Sequence, residues 1–141
     1  MNRGYRILIV DDEAGFCDFI GHYLANRGFE VVSASRASQA LEMLSQQPFD
    51  VVLADIMMPL TDGLEMLRQI REMSPQVKVI LMTAYASLDR ALRAITYGAE
   101  DLLIKPFELA DLMKALNGVL TKQSGGSESG SVADEVQPSS L

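Results

Sequence analysis

Residues 50–54 read Asp-Val-Val-Leu-Ala, with Asp55 next, and residues 77–82 read Val-Lys-Val-Ile-Leu-Met. Both runs are short, rich in Val, Ile and Leu, and without clean polar alternation, as strands buried on both faces of a parallel sheet are. Three further runs have the same character: Arg6–Val10 (RILIV), Phe29–Ala34 (FEVVSA) and the shorter Asp101–Ile104 (DLLI). Segments with helical spacing lie between them. Phe16, Phe19, Ile20, Tyr23 and Leu24 form one stripe, closed by Arg27-Gly28, where Gly28 suits the C′ position. Ala40, Leu41, Met43 and Leu44 form a second stripe, stopped near Pro48; Leu64, Leu67, Ile70 and Met73 form a third, ended by Ser74-Pro75. Ser87 is placed to cap a fourth helix over Leu88–Tyr97, with Gly98 just past its end. Leu109, Leu112, Met113, Leu116 and Leu120 mark a fifth. Strict alternation of strand and helix predicts an α/β domain: a five-stranded parallel sheet, helices on both faces and right-handed crossovers.

The bulk composition narrows the function classes. With 141 residues, 48% of them apolar, the chain is long enough for one domain with a proper core. Twelve Lys and Arg against 19 Asp and Glu give a net charge of −7 and no basic stripe, so direct nucleic-acid binding by this chain is not expected. Cys17 is the single cysteine, which excludes an internal disulfide and a thiolate metal cluster and fits a cytoplasmic setting. The start, MNRGYRILIVDDE, has too short an uncharged apolar run for a signal peptide or a membrane span. Past Leu120 the chain reads TKQSGGSESGSVADEVQPSSL, so the expected organisation is a domain over residues 1–120 and a flexible Ser/Gly-rich tail or linker over 121–141.

In a parallel sheet every strand's carboxyl end lies on one side, and ligands bind there. The first run ends in Asp11-Asp12, the third in Asp55, the fourth in Thr83 and the fifth in Lys105; the second ends blandly in Ala34-Ser35. Three carboxylates packed together repel, so at neutral pH they need a cation or a raised pKa. Oxygen-only ligands favour a hard cation, and a sparse, partly hydrated site beside a phosphate favours Mg²⁺. Lys supplies a mobile point charge and Thr a hydroxyl donor for phosphoryl oxygens. Together these groups describe phosphoryl transfer, where catalysis is mostly positioning and charge neutralisation. With no Ser–His or Cys–His pair, the nucleophile is expected to be a carboxylate, giving an acyl phosphate.

At these residues the sequence resembles the response regulator receiver domain of two-component signalling. The matching pieces are VDDE (Val10–Glu13), DIMMPLTDG (Asp55–Gly63), MTA (Met82–Ala84), GAED (Gly98–Asp101) and KPF (Lys105–Phe107), in family order over residues 5 to about 120. The resemblance implies a flavodoxin-like (βα)5 fold with strand order 2-1-3-4-5. It implies Asp55 as phosphoacceptor, Asp11, Asp12, Asp55 and the backbone carbonyl of Met57 around Mg²⁺, and Thr83 and Lys105 on the phosphoryl oxygens. It also implies a cis Lys105–Pro106 bond. The expected partners are a sensor histidine kinase or histidine phosphotransfer protein, a downstream effector protein or domain, and a second copy in a homodimer. Such a domain catalyses only its own phosphorylation and dephosphorylation and is not an enzyme acting on a metabolite. One position departs from the pattern: where the family usually has Tyr or Phe three residues before the Lys, this chain has Leu102. An aromatic switch at that position is therefore not available, and Tyr85 and Tyr97 are the other candidates.

Blander readings stand beside these. Each acid alone could be an ordinary loop or helix-terminal residue, and Lys105 alone a solvated loop lysine; their company at one edge is what promotes them. Asp62 reads as a cap of the third helix, His22 as a helix-surface residue, Cys17 as a small apolar residue and the eight Met as core filler. Gly63 suits a turn needing positive φ. Arg90, Arg93, Ala94 and Tyr97 read as a helix surface, solvated or used for output. Rival functions fare worse. A dinucleotide or flavin domain needs a Gly-rich loop after the first strand, where this chain has Asp11-Asp12-Glu13. A haloacid-dehalogenase-like phosphatase needs a second acid at the place held by Met57. The receiver of a larger transcription factor, or an interaction module of the same fold that takes no phosphate, remain as alternatives.

Overall fold

The computed structural model describes residues 4–56, 63–84 and 93–125, with side chains through Thr121. The elements are β1 (Arg6–Val10), α1 (Ala14–Ala25), β2 (Glu30–Ala34), α2 (Ala37–Gln46), β3 (Val51–Asp55), α3 (Gly63–Met73), β4 (Lys78–Thr83), β5 (Asp101–Ile104) and a C-terminal helix (Leu109–Gly125). Residues 93–96 are also helical. The strands form one sheet in the order β2-β1-β3-β4-β5, with every neighbouring pair parallel. This is the expected flavodoxin-like topology. All five apolar runs are strands, displaced by no more than one residue from where the sequence puts them.

Alternate residues of the central strands feed two separate cores, because successive side chains of a strand point to opposite faces. Leu8, Val10, Val52, Ala54, Val79 and Leu81 pack with the buried residues of α2 and α3 and with Ala94. Ile7, Ile9, Val51, Leu53, Ile80 and Met82 pack with Cys17, Ile20 and Leu24 of α1 and with Leu112, Leu116 and Leu120 of the C-terminal helix. Burying one such side chain on folding contributes about 1.5–3 kcal/mol. That two-sided burial is why these runs lack polar alternation.

Four local expectations need correction. Phe19 and Met73 are exposed at 58% and 42%. In α1 the buried row is Cys17, Ile20 and Leu24, and Phe19 sits about 200° around the helix from Cys17. In α3 Met66 is buried and Met73, at the last turn, is not. Ala94, expected on a helix surface, is fully buried against the sheet. Gly63 is not among the positive-φ glycines, which are Gly4, Gly28 and Gly98. Its role is close approach: a Cβ there would lie 2.4 Å from Ile56 Cα. Gly63→Ala must therefore push the start of α3 away from the residue after Asp55, and the expected cost is about 1–3 kcal/mol or more. Thermal melting of the variant checks this; an unchanged melting temperature would show that the contact yields freely.

The glycine stops behave as expected. Gly28 N–H donates to Ala25 O at 3.1 Å and Phe29 N–H to Leu24 O at 3.2 Å; Gly98 N–H donates to Ile95 O and Ala99 N–H to Ala94 O, both at 3.0 Å. Each pair is a Schellman closure with glycine at C′, and φ is 96° at Gly28 and 101° at Gly98. The C-terminal helix runs on to Gly125, past the compositional change after Leu120. Ser87, the expected cap of the fourth helix, lies outside the described residues, as does residue 126 onward. Among the described residues no helix is long and apolar enough to cross a membrane.

Candidate functional site

Backbone hydrogen bonds carry the ladder just past the strand ends and so fix the residues beyond them. Asp11 N–H donates to Ala34 O at 3.1 Å, Ile56 N–H to Met82 O at 3.0 Å, and Lys105 N–H to Thr83 O at 2.6 Å. Asp55 pairs in register with Met82, and Thr83 with Ile104. Asp11, Asp55 and Lys105 are thereby delivered to one edge, with Thr83 beside them. Asp11, Asp55 and Thr83 are the buried polar residues of the described chain, at 1%, 7% and 3% exposure. Asp12 is exposed at the mouth. One carboxylate oxygen from each of Asp11, Asp12 and Asp55 lies within 4.8 Å of the other two. Both oxygens of Asp11 are engaged: Oδ1 accepts from Glu13 N–H at 2.9 Å, which shapes the turn into α1, and Oδ2 accepts from Lys105 Nζ at 2.6 Å.

Lys105 Nζ also donates to Asp55 Oδ2 at 3.3 Å. Its ammonium lies 4.2 Å from the centre of the Phe16 ring. Burial works to lower the Lys105 pKa, but the hydrogen bonds and charges of Asp11 and Asp55 outweigh it and the pKa is raised. The side chain therefore stays cationic through neutral pH and offsets part of the carboxylate repulsion. Lys105–Pro106 is cis, as the resemblance implies. Cys17 is the nearest thiol, with Sγ–H donating to Asp11 O at 3.4 Å. Burial and then the charge of Asp11 push its pKa up to about 11, so it is not a nucleophile. A cleft of about 450 Å³, lined by Glu13, Phe16, Phe19, Ala84, Lys105 and Phe107 among others, opens beside the acids.

With that geometry in place, comparison with known proteins is decisive. The family model described as the response regulator receiver domain matches residues 7–117. The chain belongs to the response regulator receiver domain family. This receiver domain is 40% identical over 114 residues to the transcriptional regulatory protein ZraR of Klebsiella oxytoca, a match covering 81% of this chain and 26% of ZraR. The chain thus spans about a quarter of the length of the curated relatives it matches. Among solved structures it is similar to a CheY-like receiver domain from Methanospirillum hungatei, with TM-score 0.84, 32% identity, and coverage of 87% of this chain and 98% of that one. It is also similar to the response regulator TrrA from Thermotoga maritima, solved in complex with Mg²⁺-BeF, with TM-score 0.74, 30% identity, and coverage of 82% and 98%.

The receiver domain brings Asp11, Asp12, Asp55 and Lys105 together and sets Thr83 at the same edge. Met57, Asp62, Tyr85 and Arg90 lie outside the described residues. Two participants are not legible as such in the sequence. Phe16 reads there as part of a core stripe, yet its half-buried ring faces Lys105 and meets Phe107 edge-on, with centroids 6.1 Å apart. Glu100, inside the GAED piece, accepts from Val79 N–H at 2.7 Å and from Arg71 at 3.2 Å, while Arg71 also donates to the carbonyls of Pro75 and Val77. That network ties the segment after residue 97 to the start of β4. Nothing in sequence spacing announces a contact 29 residues apart.

Proposed function

We propose that this receiver domain is a phosphorylation switch in which Asp55 takes a phosphoryl group and Thr83 and Lys105 bind its oxygens. The observation that carries this reading is the convergence of Asp55 with Asp11, Asp12 and Lys105 at one sheet edge. The donor set fits Mg²⁺: three carboxylate oxygens from separate residues, one of them on exposed Asp12, leave room for water ligands. Asp11, Asp12, Asp55 and, by family resemblance, the Met57 carbonyl would hold the ion. Bound there, Mg²⁺ supplies charge neutralisation for the carboxylates and for a transferring phosphoryl group.

The donor is a phosphohistidine on a sensor histidine kinase or a histidine phosphotransfer protein. A carboxylate oxygen of Asp55 attacks phosphorus, forming the O–P bond of an acyl phosphate. The P–N bond breaks and its electron pair leaves with the imidazole. Lys105 exchanges its carboxylate partners for the new oxygens, and the Thr83 hydroxyl donates to another. Later attack of water on phosphorus releases phosphate and restores Asp55. Its relatives are named transcriptional regulatory proteins, so we read this chain as the receiver portion of such a regulator. It would act in the cytoplasm on a downstream effector domain or partner, singly or as a homodimer, with residues 121–141 as tail or linker.

Leu102 sets the form of the switch. It is half-buried and packs against the core cluster that contains Ala94, so recruitment of Thr83 and Lys105 reaches the 93–97 segment through packing and not through a swinging ring. Amide chemical shifts with and without beryllofluoride plus Mg²⁺ test this. Large changes are expected at Thr83, Ala84, 93–97 and 101–107, and small ones in α2. Changes confined to residues touching the mimic would refute transmission toward residues 93–97. Leu102→Tyr is expected to enlarge the distal shifts if the missing ring limits coupling.

A further inference from the structure

We infer that Phe16 is a positioning residue for Lys105, an inference that rests on the phosphorylation reading above. Lys105 makes three contacts at the site: Asp11 Oδ2 at 2.6 Å, Asp55 Oδ2 at 3.3 Å and the Phe16 ring face at 4.2 Å. The two carboxylates are also the groups a cation and a phosphoryl group must claim. Asp11 Oδ1 already accepts the Glu13 N–H at 2.9 Å, so the lysine and a cation both turn to Oδ2. When a cation neutralises Asp11 and Asp55 ahead of transfer, their pull on the ammonium falls, and a four-carbon stem with free rotors would let it drift toward water before the phosphoryl oxygens arrive. Phe16 is the contact that survives, since an aromatic face attracts a cation without carrying a charge that a metal competes for. The ring is itself held: it sits in the first turn of α1, half-buried, with Phe107 packed edge-on at 85°. Phe107 follows Lys105 by two residues and braces the ring that faces the lysine.

The test compares Phe16→Leu and Phe16→Tyr with the wild-type chain and with Lys105→Gln. Two readouts are used: the ring-current shift of the Lys105 ε-methylene protons in metal-free protein, and the phosphorylation rate from acetyl phosphate at varied Mg²⁺. Phe16→Leu is expected to lose the upfield shift and to lower the saturated rate constant roughly 3- to 30-fold, with the half-saturating Mg²⁺ concentration little changed. Phe16→Tyr, which keeps the ring face, is expected to restore both. In the Lys105→Gln background, Phe16→Leu is expected to cost no further rate, as two residues acting as a unit are non-additive. Should the Leu variant melt below assay temperature, Phe16→Met keeps the apolar volume without the ring and carries the same expectation. The inference is overturned if the ring-less variants phosphorylate at the wild-type rate. It is equally overturned if the Tyr variant is as impaired as Leu, or if the loss persists undiminished without Lys105. Wild-type protein that takes no phosphoryl group would instead overturn the functional reading on which the inference stands.

Discussion

Asp55→Asn is expected to abolish the phosphoryl adduct while leaving the fold intact. Asp55 closes β3, the strand buried along its whole length, and its carboxylate sits at 7% exposure with Lys105 beside it. Asn matches its shape but offers a neutral amide in place of a carboxylate oxygen, so no acyl phosphate can form. The loss expected is essentially complete, because Asp11 is already engaged on both oxygens and Asp12 lies exposed at the mouth. Stability moves little, since the swap also removes one of three mutually repelling charges. Phosphorylation followed by gel retardation or intact mass reads the first effect, and circular dichroism melts read the second. An adduct on Asp55→Asn at wild-type yield would move the acceptor elsewhere.

Mg²⁺ is expected to raise the melting temperature of the wild-type protein, and Asp12→Ala to remove that response. A cation binding only the native state at ten times its dissociation constant adds about 1.4 kcal/mol. For a domain of this size that is roughly 3–6 °C. Metal-free protein is less strained than three bare carboxylates imply, because Lys105 already lies within hydrogen-bonding distance of Asp11 and Asp55. Lys105→Ala takes away that internal cation and leaves Asp11 and Asp55 without its compensating charge, so it lowers metal-free stability by about 3 kcal/mol. Mg²⁺ should then stabilise Lys105→Ala by more than it stabilises wild type. Melts at millimolar Mg²⁺ decide the matter: equal shifts in wild type and Asp12→Ala would show that the acids do not form the cation site.

The fold was legible because its signals are local. Short Val/Ile/Leu runs separated by segments of helical period point to strands of a parallel sheet, and Gly28 and Gly98 stop helices where their Schellman bonds lie. The acid–Thr–Lys edge was legible for a topological reason: once the strands are parallel, Asp11, Asp55, Thr83 and Lys105 must emerge on one side. The features that escape a sequence reading depend on approach between distant segments. Gly63 looked like a turn glycine and is a close-packing glycine against Ile56. Phe19 looked like core and is exposed, since a stripe of five apolar residues spans more of the helix than the sheet can cover. Phe16 looked like core and faces Lys105, because periodicity gives a residue's face and not what stands opposite it.

Intact mass of the wild-type chain after incubation with acetyl phosphate, with Mg²⁺ and again with EDTA, reads out whether Asp55 takes a phosphoryl group. The expected result is the mass gain of a single phosphoryl group that requires Mg²⁺, is lost on treatment with hydroxylamine or alkali as an acyl phosphate is, and maps to the peptide containing Asp55. An unmodified chain at saturating donor and Mg²⁺, or an adduct that resists hydroxylamine, would contradict it.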